Sequence, residues 1–383
     1  MSEAADADLF ARFLAFRQRI EARAPEPAPA AAIRWQRQQT PHGEVPIRDG
    51  WRPLAEVQAL ETPWPHRVAA SGLGPPSSWR WCDLETTGLR GGGGIRAFLI
   101  GIGRLRDGGL AVRQYLLEDL DREPALLAAV TAELCEATAI VTFNGKSFDW
   151  PLLRDRCVLA GVWLPQRAHW DVLHAARRLW GPSLRGGCHL SRLQEAVLRE
   201  PRGPDLDGAE IPERYRRYLD GDAAGLDEVA AHNLEDLRAT AAVAARLCAQ
   251  LAAGCGEPSD PEALWGLGRT YERAGAVSEA VAAYLAARRL GVRPGAQAAA
   301  LLLKRQGQHA DAAGIWDAER RGRVPSLDAA VELAKYLEHR RRDPAAALAV
   351  VREAMPLAAR CGTARREELE HRLARLARKL GEV

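Results

Sequence analysis

Residues 78–117 read SWRWCDLETTGLRGGGGIRAFLIGIGRLRDGGLAVRQYLL, and their reading decides the fold. The stretches 78–85, 96–105 and 110–117 are predicted as strands. Between the second and third, Asp107-Gly108-Gly109 is a tight-turn signal that makes them a hairpin. Beyond this segment the pattern alternates. A helix is predicted over 123–137, a short apolar strand over 139–143, a helix from Ser147 as its N-cap, and a strand over 169–173. From 189 to about 252 the period is mostly helical. Three antiparallel strands followed by strand–helix alternation imply an α/β fold, a mixed five-stranded sheet with helices on both faces.

Toward the N-terminus, residues 7–24 are predicted as one amphipathic helix, and PEPAPAAA at 25–32 reads as a Pro/Ala linker. Residues 33–80 are rich in Trp, Pro and Gly and keep no sustained period. Residues 1–77 are therefore expected to be an N-terminal helix and irregular extension of a domain spanning 78–253. Toward the C-terminus, GCGEPSDPE at 254–262 is a linker, and 260–383 is helical, alanine-rich and repetitive. Leu267, Gly268, Tyr271, Ala280, Tyr284 and Ala287 have the spacing of a tetratricopeptide repeat. Gly307, Ala312 and Trp316 follow Gly275, Ala280 and Tyr284 at a constant offset of 32 residues. A degenerate pair at 328–340 and 344–355 and a basic capping helix at 364–380 complete the array. The alternative is an ordinary helical bundle.

Three acidic elements punctuate the first domain. Asp83 and Glu85 lie two apart on a strand, so both leave the same face. Adjacent carboxylates repel unless a cation joins them. Asn144-Gly145-Lys146-Ser147-Phe148-Asp149 begins at a strand end, where open α/β sheets place their sites, and runs into a helix. Asp149 falls in the first helical turn, where the dipole favours an anion, and Phe148 is expected to pack inward and aim it. His232 and Asp236 are i and i+4 on a helix and share one face.

D-x-E on a strand, N-x3-F-D at the next buried strand and H-x3-D on a late helix together resemble the DEDD family of 3′→5′ exonucleases. DLETTG, AFLIGIG, EPALLAAV, VTFNGKSFDWPLLR, DVLHAARRLW, GAEIP and HNLEDL make the stretch 78–250 similar to the YprB-like group of ribonuclease H-like domain proteins. These are bacterial and often carry C-terminal tetratricopeptide repeats. The resemblance implies an RNase H-like fold, and two Mg²⁺ or Mn²⁺ ions held by Asp83, Glu85, Asp149 and Asp236, with His232 as general base. Relatives with histidine usually have four residues between it and the last aspartate, and those with three intervening residues usually have tyrosine. Here the spacing is of the tyrosine kind and the residue is His232.

Phosphodiester hydrolysis needs an activated water and a stabilised leaving oxygen, and two divalent cations roughly 3.5–4 Å apart serve both needs. All-oxygen ligands suit Mg²⁺ or Mn²⁺ better than zinc. Weaker candidates to touch substrate are Thr86, Thr87, Gly88 and the loop at 91–94, through backbone N–H groups, together with Asn144 and Lys146. Asp171, at a strand end, would support a ligand from behind. Trp150, Trp163, Trp170 and Trp180 are expected in the core rather than stacked on bases, and His169, His174 and His189 in structural roles.

Composition limits the partners. Residues 256–383 hold 22 Lys and Arg against 17 Asp and Glu, whereas residues 1–255 hold 31 against 33. The first part does not attract a polyanion by bulk charge, but with its four carboxylates under metal it becomes net positive. The basic repeats are expected to bind a partner, an acidic protein segment or a nucleic-acid tail. Seven scattered cysteines without a CxxC pair argue against a disulfide framework or zinc site. No run of 18 apolar residues and no signal-like N-terminus point to a soluble, cytoplasmic protein with no membrane contact. The expected activity is a metal-dependent 3′→5′ exonuclease on DNA or RNA with a free, single-stranded 3′ end. A structure-selective endonuclease and a non-catalytic nucleic-acid or protein-binding scaffold are the alternatives.

Overall fold

The computed structural model describes residues 35–382 apart from 70–71, 89–93, 185, 202–205, 207 and 257–259. The helix expected over 7–24 and most of the glycine run at 91–94 lie outside the described residues.

The strands β1 (Gln36–Thr40), β2 (Gly43–Pro53), β3 (Trp79–Thr86), β4 (Ala97–Arg106), β5 (Gly109–Leu116), β6 (Ala139–Thr142) and β7 (Ala168–Asp171) form one sheet in the order β1-β2-β5-β4-β3-β6-β7. The strands β3, β6 and β7 run parallel, and the other neighbours pair antiparallel. The mixed α/β sheet is as expected, but it has seven strands rather than five. The extra two come from the stretch read as an irregular extension. Prolines disguised them: Pro46 has no N–H to donate, and it sits where β2 is paired only with β1, one residue before the β5 ladder starts at Ile47. The β4–β5 turn is the tight one expected, with Asp107 and Gly108 both at positive φ (52° and 72°).

Strand alternation divides the core in two. On β3, Trp79 and Trp81 point to one face, under the long helix α5, and Cys82 and Leu84 to the other. The longer helices of this part are α1 (Glu123–Cys135), α2 (Asp149–Leu159), α3 (Val172–Leu179), α4 (Ile211–Leu219) and α5 (Leu226–Ala253). The second face packs on Leu126, Leu127 and Val130 of α1, Leu153 of α2 and Tyr215 of α4. A buried ion pair of Glu123 with Arg156, whose Nε donates at 2.7 Å, fastens α2 to α1.

Two boundaries differ from expectation. The helix placed at Ser147 begins at Asp149, and no side chain caps it. The turn ahead of it closes instead through Trp150 N–H to Gly145 O, 2.8 Å. The strand read to residue 173 ends at Asp171, whose carboxylate caps α3 by accepting from Leu173 N–H at 3.1 Å.

The C-terminal helices pair as α6 (Pro261–Arg273) with α7 (Val277–Arg289), α8 (Pro294–Arg305) with α9 (His309–Arg320) and α10 (Leu327–His339) with α11 (Pro344–Ala358), closed by α12 (Thr363–Leu380). Gly268 lets α6 and α7 meet: a Cβ there would lie 2.4 Å from a ring carbon of Tyr284. The array is not tethered loosely. One buried cluster runs from Trp79, Trp81 and Trp170 through Leu179 and Trp180 to Leu267, Tyr271 and Tyr284. At the joint, a Cβ on Gly266 would lie 1.8 Å from the Leu179 carbonyl oxygen. Among the described residues no helix is long and apolar enough to cross a membrane.

Candidate active site

The face of β3 that carries Trp79 and Trp81 continues to Asp83 and Glu85, so the strand leaves the core as a pair of carboxylates. This strand is followed in the sheet by its parallel neighbour β6 and, beyond it, β7. Residue 83 also heads a row across the sheet: Asp83 pairs with Gly101, and Gly101 with Gln114. Asn233 of α5 lies over that row. Its Nδ2 donates to Asp83 Oδ2 at 2.8 Å, and its Oδ1 accepts from Gln114 Nε2 at 2.9 Å. Gln114 Nε2 also donates to Ala230 O at 2.7 Å. The glycine makes the approach possible, because a Cβ on residue 101 would stand 2.2 Å from Asn233 Oδ1 and 2.5 Å from Leu237 Cδ1. The sequence reading missed Asn233 and Gln114, since cross-strand register is invisible in one chain. The one available signal was the glycine in AFLIGIG.

The loop after β6 is built for a close turn. Asn144 has φ +66°, and a Cβ on Gly145 would sit 2.6 Å from the Cβ of Thr142. The buried Asp171 carboxylate holds this loop by accepting from Asn144 N–H (2.8 Å) and Lys146 N–H (3.2 Å). It therefore braces the segment that leads into Asp149. Phe148 does not pack inward: it is 62% exposed, and the turn, not an aromatic anchor, aims the aspartate. On α5, His232 Nε2 lies 3.6 Å from Asp236 Oδ2, one helical turn on.

Asp83, Asp236 and Asn144 line a cavity of about 370 Å³ together with Arg177, Cys188 and His189. Desolvation raises the Asp83 pKa well above the carboxylate range, and the charges of Glu85, Asp236 and Asp149 raise it further against the hydrogen bond from Asn233. Asp149 is pushed up to about 7 by desolvation and by Asp171. Asp83 is thus within the field of the other three carboxylates. Among the described residues no three His, Cys, Asp or Glu side chains are gathered tightly enough to hold one ion as they stand. Oxygen donors crowded around a desolvated carboxylate fit a hard divalent cation, whose charge would offset that repulsion.

The weaker candidates separate. Thr86 Oγ1 donates to Gly88 O at 2.8 Å, and Thr87 Oγ1 accepts from Arg96 N–H at 3.1 Å, so both hydroxyls close their own loop. Lys146 is exposed, and desolvation, helped by the Lys146 charge, lowers His169 to about 4. His169 is structural, bonded to Thr142 Oγ1 at 2.8 Å and edge-on to Trp150. Trp170 and Trp180 are core residues. Trp163 is 69% exposed rather than packed, and His174 is exposed on α3. His189, expected to be structural, is exposed at the cavity instead. Arg177 was also missed, hidden in the helical run DVLHAARRLW.

Residues 81–248 match the RNase_H superfamily. Protein YprB of Bacillus subtilis (strain 168) is 28% identical over 356 residues, covering 88% of this chain and 84% of that one. The family B DNA polymerase from the hyperthermophilic archaeon Pyrobaculum calidifontis is 20% identical with a TM-score of 0.37, covering 57% of this chain and only 30% of the polymerase. The mixed sheet with its three parallel strands at one end is an RNase H-like fold over residues 81–248, and along most of its length the chain is similar to YprB.

Proposed function

We propose that the chain is a metal-dependent 3′→5′ exonuclease acting on single-stranded DNA or RNA ends. The carrying observation is that Asp83 is desolvated in the field of Glu85, Asp236 and Asp149 at the end of β3. Such an arrangement is costly unless cations arrive. Asp83, Glu85, Asp149 and Asp236 would hold Mg²⁺ or Mn²⁺, two per site, through oxygen alone. Bound divalent ions supply Lewis acidity for the attacking water and the leaving 3′ oxygen.

The chain's own residues do the rest. Asn233 fixes the rotamer of Asp83, and Gln114 fixes Asn233. Asp171 keeps the turn that delivers Asp149. His232, beside Asp236, takes the proton from the attacking water. Arg177 and His189 stand at the cavity wall, where they can receive the phosphate. The cavity is of small-ligand size, which suits a terminal nucleotide entering alone.

Digestion of end-labelled DNA and RNA oligonucleotides with Mn²⁺, with and without chelator, tests the proposal. Stepwise shortening from the 3′ end that chelator abolishes is the expected result, and a circular single strand should remain intact. Cleavage of the circle would make the enzyme an endonuclease. Equal activity in chelator would remove the metals from the mechanism.

A further inference from the structure

A groove outside the site runs along the C-terminal array where α3 meets it. It encloses about 840 Å³ and is lined by Arg178 of α3, Trp265, Arg269 and Arg273 of α6, and Lys304 and His309 farther along the array. Lys304 and His309 also line a second cavity of about 310 Å³, so the two form one path.

Its charge is poorly balanced. Glu272, the carboxylate in the first groove, is already engaged by Arg305 and by the Tyr284 hydroxyl at 2.5 Å. Glu332 in the second is bonded to Lys304 and Lys335. Among the described residues no ion pair joins Arg178, Arg269 or Arg273 to a carboxylate, and Arg178 Nη1 is buried without a hydrogen-bond partner. Desolvation and the charges of Arg273 and Arg269 lower the Arg178 pKa. Three guanidinium groups facing one another without a counter-ion form a site for an external anion.

The path has a direction. Arg177 and Arg178 are consecutive on α3, yet Arg177 lines the carboxylate cavity and Arg178 lines the groove. Successive helical residues point about 100° apart, so one helix serves both spaces. The half-buried indole of Trp265 adds an aromatic surface among the cations. Cations that follow a backbone and aromatics on which bases stack are the pattern of single-strand binding. An acidic peptide would use the charge but would have no reason to lead into the catalytic cavity.

We propose that Arg178, Arg269 and Arg273, with Trp265, form a phosphate-binding track for the part of a single strand that trails behind the 3′ end being cut. The inference rests on the nuclease reading and adds where the rest of the substrate lies.

The test uses the full chain, fluorescein-labelled DNA and RNA strands of about 4 and about 20 nucleotides, and anisotropy in chelator, so that no strand is cut. Arg269 and Arg273 are exposed, and the double variant R269A/R273A should retain the fold. Its affinity for the 20-mer should fall about tenfold or more. The slope of log affinity against log salt should shrink by about 1.4, two contacts at about 0.7 each on a single strand. The 4-mer, which offers the groove far fewer phosphates, is the internal reference. An unchanged 20-mer affinity in the double variant overturns the proposal. If polyglutamate binding is lost in its place, the groove belongs to an acidic protein. The DNA and RNA arms show whether the track reads the sugar. Cutting of the 4-mer in Mn²⁺ separates the two readings. Absent cutting with arginine-dependent 20-mer binding sinks the nuclease reading alone, whereas cutting with arginine-independent binding sinks the track alone.

Discussion

Asp83 and Glu338 are both carboxylates drawn out of water, one at the end of β3 and one on α10, and the protein surrounds them with opposite company. Glu338 accepts from Arg375 Nη2 at 2.6 Å and Lys379 Nζ at 2.7 Å, with Arg372 and His339 at 3.5 and 3.6 Å. Burial pushes its pKa up, but the hydrogen bond from Lys379 and the charges of Arg375, His339 and Lys379 prevail and leave it lowered. Asp83 meets the charges of three other carboxylates, and its pKa is raised. A carboxylate that only holds helices together is neutralised from within the chain. One left in a field of its own sign is kept ready for a charge from outside.

Asp83→Asn should give the largest effect that sharpens this contrast. Hydrolysis should fall by about 10⁴-fold or more, because the ligands act as a unit, while the metal-free protein melts no lower than wild type. Single-turnover assays and thermal melts read the two halves, and a fully active Asp83→Asn would erase the distinction between the carboxylates.

His232→Ala should lower kcat by roughly 10²–10⁴-fold with little change in substrate affinity, the range for a lost general base. An Ala enzyme within twofold of wild type would leave His232 a packing role beside Asp236. Tyrosine, the residue that relatives use at this spacing, should restore part of the rate.

Glu338→Ala should reverse the pattern of Asp83→Asn. Removing this carboxylate from among its cations should cost about 1.5–3 kcal/mol, the range for hydrogen bonds to charged groups. The C-terminal helices should unfold early in urea while short strands are still cut. Retained stability would show that the cations around Glu338 find water as readily as they find the carboxylate.

The last contrast lies in the pH dependence of the metal-free protein. Asp149 rises from 3.8 to about 7 in the fold, so the folded state holds its proton more tightly than the unfolded chain between those values. Stability should therefore fall as pH rises from about 4 to about 7 and then level off, with Asp83 adding in the same direction. Glu338 has the opposite sign: its contribution is present above the ordinary glutamate pKa and is lost as pH falls through its lowered value. Mg²⁺ should flatten the first slope and leave the second untouched in melts recorded across this range. A metal-free protein whose stability rises from pH 4 to 7 would contradict the crowding of carboxylates.

Much of this was legible in the sequence because it depends on local spacing. Two residues on a strand share a face, four on a helix share a face, and a glycine pair closes a hairpin, so Asp83 with Glu85, His232 with Asp236 and the β4–β5 turn could be placed from the chain alone. What escaped depends on register and on tertiary company. The row Asp83–Gly101–Gln114 exists only once three strands are paired, and Asn233 acquires its task only when α5 settles on Gly101. The β1–β2 pair was hidden by prolines and polar alternation. Phe148 reads as an anchor by type but stands in solvent, because the turn stabilised by Asp171 needs none. Arg177 and Arg178 look alike in sequence, and only the surroundings of α3 assign them to different spaces.

That helix has a further consequence. Its first end is capped by Asp171, which also grips the loop leading to Asp149, and its last carbonyl side is the seat of Gly266. Eight helical residues measure about 12 Å, and a continuous buried cluster holds α3 to both halves. Independent domains usually drift relative to one another unless a large apolar interface holds them. Here α3 acts as a caliper with both jaws fixed, and whatever spans from cavity to groove is measured against a set length.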